Sequence, residues 1–144
     1  MNIRTFALLY GIVFLLIGIA GFVPGLVTAH PGMPPLAVDE GAGALFGLFP
    51  VNILHNIVHI AFGVWGLAVY RNAGAATTYA RSVAIIYAVF TIMGLVPALN
   101  TTFGLVPLHG NDVWLHAVLA AVAAYFGFVR PREVAAHTTE PGRV

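Results

Sequence analysis

The chain has 144 residues, of which 60% are hydrophobic and only 8% are charged. A soluble domain carries about 25% charged residues, so this composition excludes a soluble globular protein. The formal net charge of +1 excludes a nucleic-acid-binding protein, and the absence of cysteine excludes disulfides, iron–sulfur clusters and thiol catalysis.

Long runs without charge divide the chain into candidate membrane spans. A helix that crosses the bilayer core needs about 20 apolar residues, and each charge-free run is long enough for one crossing. We therefore predict an all-α integral membrane four-helix bundle. Its domain is residues 1–130 and a polar cytoplasmic tail follows at residues 131–144. The predicted spans lie near residues 5–27, 51–70, 80–98 and 112–130.

The arginines predict how this bundle is oriented. With four spans, all six positive charges fall on one side, in Arg4, the 71–81 loop and the tail from Arg130. The other side carries acidic residues only. The positive-inside rule then places the N and C termini in the cytoplasm and directs loops 29–50 and 99–111 outward. We predict a multi-pass protein of the bacterial cytoplasmic (inner) membrane, in contact with the lipid bilayer.

The chain also shows signs of an internal duplication. Four Gly-x-x-Pro segments occur in matching order, at Gly21–Pro24, Gly47–Pro50, Gly94–Pro97 and Gly104–Pro107. A Leu-His pair follows the second and the fourth segment. The pattern predicts two tandem helical hairpins, a parallel repeat with its axis along the membrane normal. His55 and His116 would then lie at similar depth.

The second span carries the clearest chemical signal. Pro50 suits the first helical turn, and Asn52, His55, Asn56 and His59 then recur at i, i+3, i+4 and i+7. That spacing places the four polar side chains on one helix face. Polar groups are costly in lipid, so this face is expected to point into the bundle. Two His four residues apart suit one metal ion.

The fourth span offers a counterpart near its start. Asn111 or Asp112 suits the helix N-cap, and Asp112 and His116 are four residues apart on one face. The predicted ligands therefore converge near the outward-facing surface of the inner membrane. For a metal they are His55, His59, His116 and Asp112, and for another cofactor the three His alone. The predicted second shell of polar neighbours is Asn52, Asn56, His109 and Asn111.

The nature of the bound group stays open between metal and cofactor. Three His with an Asp or a water suit Zn²⁺ or Cu²⁺. Two His on facing helices suit a b-type haem, and a chlorophyll-type pigment also accepts His. Gly63 and Gly66 would make room for a porphyrin, but small residues more often serve close helix packing, as expected for Gly11. His30 and Met33 in the first outer loop are donors for a soft metal, but weak evidence by themselves.

Three functional hypotheses follow. The first is a membrane protein that binds a metal or haem. The second is an accessory or structural subunit of a larger membrane complex, or a homo-oligomer, whose His only form hydrogen bonds. The third is a small transporter or channel subunit that uses the polar stripe as a path. The chain has no Gly-x-Ser-x-Gly, phosphate-loop or His-Glu-x-x-His motif, so no catalytic residue and no enzymatic reaction are predicted.

Two motifs resemble those of an uncharacterised domain-of-unknown-function family of small bacterial four-span integral membrane proteins. They are Phe49-Pro50-Val51-Asn52-x-x-His55-Asn56-x-x-His59 with the following Gly63, and Asn111-Asp112-x-x-x-His116. The resemblance covers roughly residues 5–130. It implies the four-helix fold and singles out the same polar residues, and it adds no chemistry.

Overall fold

The structure is a computed structural model that describes residues 1–130, and it is mostly helical. The predicted tail, 131–144, lies outside the described residues. Four helices and one short sheet make up the fold. The helices are α1 (Ile3–Ala20), α2 (Ile53–Val69), α3 (Ala73–Leu95) and α4 (Asn111–Ala124), and α4 continues as a π-helical segment, Tyr125–Val129.

Within residues 1–130, three helical segments are long and apolar enough to cross a membrane, namely Ile3–Ala20, Ala73–Leu95 and Asn111–Val129. Helix α2 is apolar but shorter, with 17 residues. Large apolar side chains cover the outside of the helices, including Leu16, Val64 and Ile85, at 60%, 55% and 58% exposure. The apolar helices indicate a membrane protein whose outer surface contacts lipid.

Several helix boundaries differ from the predicted spans. Helix α1 ends at Ala20 rather than near residue 27, because Pro24 and the left-handed Gly25 (φ +87°) cannot continue a helix. Helix α3 begins at residue 73 rather than 80, where the Asn72 side chain accepts a hydrogen bond from the backbone N–H of Ala75. The predicted 71–81 loop is therefore a tight turn, and Arg81 lies within α3.

The segment between α1 and α2 contains a small sheet that the all-α prediction lacked. Strands β1 (Val27–Thr28), β2 (Gly43–Leu45) and β3 (Phe49–Val51) pair antiparallel in that order. Pro50 lies in β3, opposite Ala44, so its predicted place in the first turn of α2 is wrong. The strand leads directly into the start of α2.

Glycines bring α1 and α2 into backbone contact. A Cβ atom at Gly63 would lie 2.6 Å from the backbone nitrogen of Leu15, and one at Gly11 would lie 2.8 Å from that of Leu67. Near the start of α2, Gly18 meets Asn56 and Ile60 in the same way. The two helices therefore run antiparallel, and the predicted close-packing role of Gly11 is confirmed.

Helices α3 and α4 form the second antiparallel pair. Gly94 near the end of α3 lies against Leu108 and Val113, whereas Gly127 beyond α4 lies against Arg81 near the start of α3. Small residues and aromatic rings fill the core between the pairs, including Ala76, Tyr79, Ala80, Tyr87 and Ala123. Helices α2 and α4 both begin at the same end of the bundle, where the side chain of Asn111 donates a hydrogen bond to the carbonyl oxygen of Leu48.

The two long loops cover that end together. The carbonyl oxygen of Gly104 accepts hydrogen bonds from the backbone N–H groups of Ala37 (2.8 Å) and Val38 (3.2 Å). The Asn52 side chain donates to the carbonyl oxygens of Val38 (2.8 Å) and Leu105 (2.7 Å). We call loops 21–52 and 96–110 together the loop cap.

Candidate metal centre

Three histidines meet beneath the loop cap. His55 and His59 come from the first turns of α2, and His116 comes from the second turn of α4. One ring nitrogen of each lies within 4.8 Å of the other two. The residues are only 3%, 5% and 1% exposed, respectively. These three buried histidines can hold a metal ion.

Local hydrogen bonding determines the tautomer of one of these rings. Nδ1 of His59 lies 3.0 Å from the backbone carbonyl oxygen of His55, one helical turn earlier. A carbonyl only accepts hydrogen bonds, so Nδ1 of His59 carries the proton and donates. Nε2 of His59 then keeps its lone pair, which is the state that a metal ligand needs. The His55 ring stacks on the His59 ring at 4.7 Å between centroids.

Asp112 adds a carboxylate to the cluster. Its Oδ2 atom lies 3.6 Å from Nε2 of His116 and 3.9 Å from Nε2 of His55. Asp112 is 2% exposed, and within residues 1–130 its Oδ2 has no hydrogen-bond partner. A buried, unpaired carboxylate is unfavourable unless a positive charge accompanies it. The position among three imidazoles therefore suits a cation.

The cavity at the cluster is small, with a volume of about 30 Å³. Tyr87 and Phe90 of α3 and Thr102, Val106 and Leu108 of the loop cap contribute to its walls. The Tyr87 ring stands edge-on to His116, with 4.9 Å between centroids. A cavity needs only about 10–15 Å³ of such space to hold one water molecule, so this one has room for an ion but not for a porphyrin.

Binding of an ion would draw the rings closer together. Tetrahedral Zn²⁺ binds imidazole nitrogens at about 2.0–2.1 Å, which sets neighbouring ligand nitrogens about 3.3 Å apart. The upper limit of 4.8 Å between the ring nitrogens exceeds that spacing. Small side-chain rotations are therefore needed, and the cavity leaves space for them.

The two asparagines of the predicted stripe contact backbone. Asn52 precedes α2 as its N-cap and accepts a hydrogen bond from the backbone N–H of His55 at 2.9 Å. Asn56 donates to the carbonyl oxygen of Gly21 at 2.9 Å. Asn52 thus fixes the start of the helix that carries His55, while Asn56 ties α2 to the end of α1.

The other two predicted neighbours lie in or beside the second loop. Asn111 donates to the carbonyl oxygen of Leu48 at 3.3 Å, and the N-cap of α4 is Gly110, without a side-chain cap bond, instead of Asn111 or Asp112. His109 stacks on His30 at 5.6 Å and is not among the three clustered histidines. Burial, followed by the nearby His30, lowers the pKa of His109, which favours its neutral form.

Sequence reasoning missed the residues that close the cavity. Thr102, Val106 and Leu108 come from a loop without helical periodicity, and Tyr87 lies on a third helix. Only the repeated Gly-x-x-Pro segment at Gly104 marked this loop as unusual. The structure shows that the loop turns back through the left-handed Thr102 and Phe103, with φ of 50° and 59°.

Fold and site together define a class: small helical membrane proteins with a buried histidine cluster under a loop cap. Sequence comparison assigns the family. Residues 4–129 match the family described as Domain of unknown function (DUF4383), and the chain belongs to it. This confirms the resemblance seen in the two motifs. Neither the curated proteins nor the solved structures include a match.

Proposed function

We propose that this membrane protein binds one divalent transition-metal ion, Zn²⁺ or Cu²⁺, through His55, His59, His116 and Asp112. The Oδ2 atom of Asp112 supports the proposal most directly, since it has no hydrogen-bond partner among residues 1–130 and lies 3.6 and 3.9 Å from two imidazole nitrogens. Three neutral imidazoles and one carboxylate form a ligand set typical of these ions. The neighbouring Asn52 positions the first of the imidazoles.

A metal ion fits the site better than a b-type haem. The cavity volume is only about 30 Å³. The backbones of Leu15 and Gly11 fill the space beside Gly63 and Gly66. The small residues considered for a porphyrin pocket thus serve close packing of α1 on α2. Haem would require these helices to separate.

The same proposal includes four membrane crossings with the N and C termini in the cytoplasm. Helix α2 has 17 residues and is about 26 Å long, which is close to the hydrocarbon thickness of about 30 Å. It runs antiparallel along α1, which is one of the three long spans. Trp114, 70% exposed at the first turn of α4, suits the outer interface. The site would then lie near the outer surface of the bacterial inner membrane.

A parallel repeat is the simplest account of the two-hairpin arrangement. Each proposed repeat is an antiparallel helix pair, α1 with α2 and α3 with α4. His55 and His116 are the equivalent positions, and their rings lie 6.0 Å apart between centroids. Equivalent residues that meet near the centre are expected of a repeat whose axis follows the membrane normal.

Elemental analysis of detergent-purified protein, with an absorption spectrum of the same sample, tests the metal proposal. Metal-free protein is loaded with Zn²⁺ or Cu²⁺ and freed of excess ion. We expect about one ion per chain in the wild type, much less in His59→Ala and His116→Ala, and no Soret band. His137→Ala, in the tail, is the matched control and should keep the ion.

Two results would contradict the proposal. One is wild-type protein that remains free of metal after loading, while it elutes as a folded species. The other is full metal content in His59→Ala and His116→Ala alike. A Soret band that both substitutions remove would replace the metal with haem.

A further inference from the structure

Outside the buried cluster, two more histidines lie together in the loop cap. His30, from the loop before α2, stacks on His109, from the loop before α4, with 5.6 Å between ring centroids and 25° between ring planes. Both residues are half-buried. The pair thus joins two loops that are 79 positions apart in sequence but adjacent in space.

One atom of this pair lacks a partner. Nε2 of His109 is buried and has no hydrogen-bond partner among residues 1–130. A buried ring nitrogen without a partner is unfavourable, because it has lost water and gained no hydrogen bond in return. Hydrophobic packing alone does not explain why an imidazole occupies this position. A ligand bound to that nitrogen would explain it.

The pair lies next to the wall of the buried cavity. Leu108, the residue before His109, is 1% exposed and lines the cavity together with His55, His59 and His116. Its backbone N–H donates to the carbonyl oxygen of Asn100 at 2.7 Å. The loop backbone at 108–109 therefore lies between the His30–His109 pair and the three buried histidines. Gly110 (φ +66°) connects this loop to α4.

We propose that His30 and His109 form a capture site, which binds the metal ion first and passes it to the buried cluster. This inference rests on the proposed function. Two imidazoles and water bind Zn²⁺ or Cu²⁺ more weakly than three imidazoles and a carboxylate, so transfer inward is favourable. Each ligand of the buried cluster replaces one bound water, which is released. A shift of Leu108 opens a path for the ion between the two sites.

The rate of loading tests the capture site separately from the final occupancy. Metal-free protein in detergent is mixed with Zn²⁺ and a chromophoric chelator reports the free ion over time. In His30→Ala and in His109→Ala we expect loading to slow by about tenfold, since the local ion concentration falls, while final content stays at about one Zn²⁺ per chain. His137→Ala is the matched control and should load at the wild-type rate.

Each other outcome has a distinct meaning. Wild-type loading rates in both variants would overturn the capture site and leave the proposed function intact. Reduced final content in His30→Ala, with a folded elution profile, would also overturn it, because His30 would then belong to the main site. Wild-type protein that binds no Zn²⁺ would overturn the proposed function and the capture role with it. Should His109→Ala misfold, His30→Ala alone decides, since it leaves the start of α4 unchanged.

Discussion

The two ends of the helical bundle are built from different chemistry. Under the loop cap, the buried residues include three His, two Asn and one Asp. Toward the other end, the core consists of small residues and aromatic rings, among them Phe6, Ala7, Ala76 and Tyr79. Among the described residues, only the end under the loop cap contains buried side-chain atoms without hydrogen-bond partners, at His55, His109, Asp112 and His116.

This difference separates stability from function within one small bundle. Close packing of Gly and Ala against neighbouring backbones holds transmembrane helices together without polar groups. Buried polar groups without partners do the opposite, because they lose water and gain nothing in return. The buried polar groups under the loop cap therefore lower the stability of the metal-free protein. A bound ligand would give the physical reason for these groups. Four substitutions test that contrast.

The largest effect is expected at the glycines that bring α1 and α2 into backbone contact. Gly63→Leu places a side chain against the backbone of Leu15, where even a Cβ would lie 2.6 Å from the nitrogen. Backbone atoms cannot move aside as side chains do, so we expect a loss of about 3 kcal/mol, at the upper end of the usual cost of overpacking, and little monodisperse protein. Ala61→Leu, two residues away on the exposed face of α2, is the control and should purify normally. A normal yield from Gly63→Leu would refute the backbone contact.

The next effect concerns the metal ligands. Under the proposed function, we expect Zn²⁺ at 100 times its dissociation constant to stabilise the wild type by about 2.7 kcal/mol. In His59→Ala we expect this Zn²⁺-induced stabilisation to vanish, in addition to the stability that the metal-free protein loses when a buried ring is truncated. Thermal unfolding in detergent with and without Zn²⁺ measures both quantities. An equal Zn²⁺-induced shift in the variant would show that His59 is not a ligand.

Asp112→Asn is expected to have two effects of opposite sign. The amide keeps the shape of the side chain but removes the buried charge, so the metal-free protein should become more stable by about 1 kcal/mol. Loss of the carboxylate should weaken Zn²⁺ binding by about 10–100-fold. Unfolding in a detergent titration and competition with a chelator report the two changes. A less stable metal-free variant would mean that Asp112 is already paired in the fold.

The smallest effect is expected at Asn56. Asn56→Ala removes the hydrogen bond to the carbonyl oxygen of Gly21 and leaves the His cluster in place. Hydrogen bonds between transmembrane helices contribute about 0.6 kcal/mol on average, so the thermal midpoint should fall slightly. Zn²⁺ content should remain at about one ion per chain. Loss of the ion from a folded Asn56→Ala variant would make this residue part of the metal site.

Much of the helical architecture could be predicted because a bilayer imposes length and polarity on every span. The charge-free runs identified all four helices, and the i, i+4 pairs His55–His59 and Asp112–His116 identified the polar faces. The helix ends were predicted less accurately. The first predicted span continued seven residues too far, to residue 27, since hydropathy alone does not register a Pro24–Gly25 turn. The short sheet gave no signal because each of its strands has only two or three residues.

The composition and the spacing of His, Asn and Asp by themselves determined that this is an apolar helical protein with an inward polar face. Hydrophobicity and helical periodicity are local properties, so they are visible in the chain. Only the tertiary structure decided that α2 and α4 bring three imidazoles within 4.8 Å, that Asn52 and Asn56 bind backbone, and that a loop closes the cavity at about 30 Å³. Those facts depend on how the two helix pairs are placed against each other and on loops remote in sequence, and neither is visible in the local pattern of the chain.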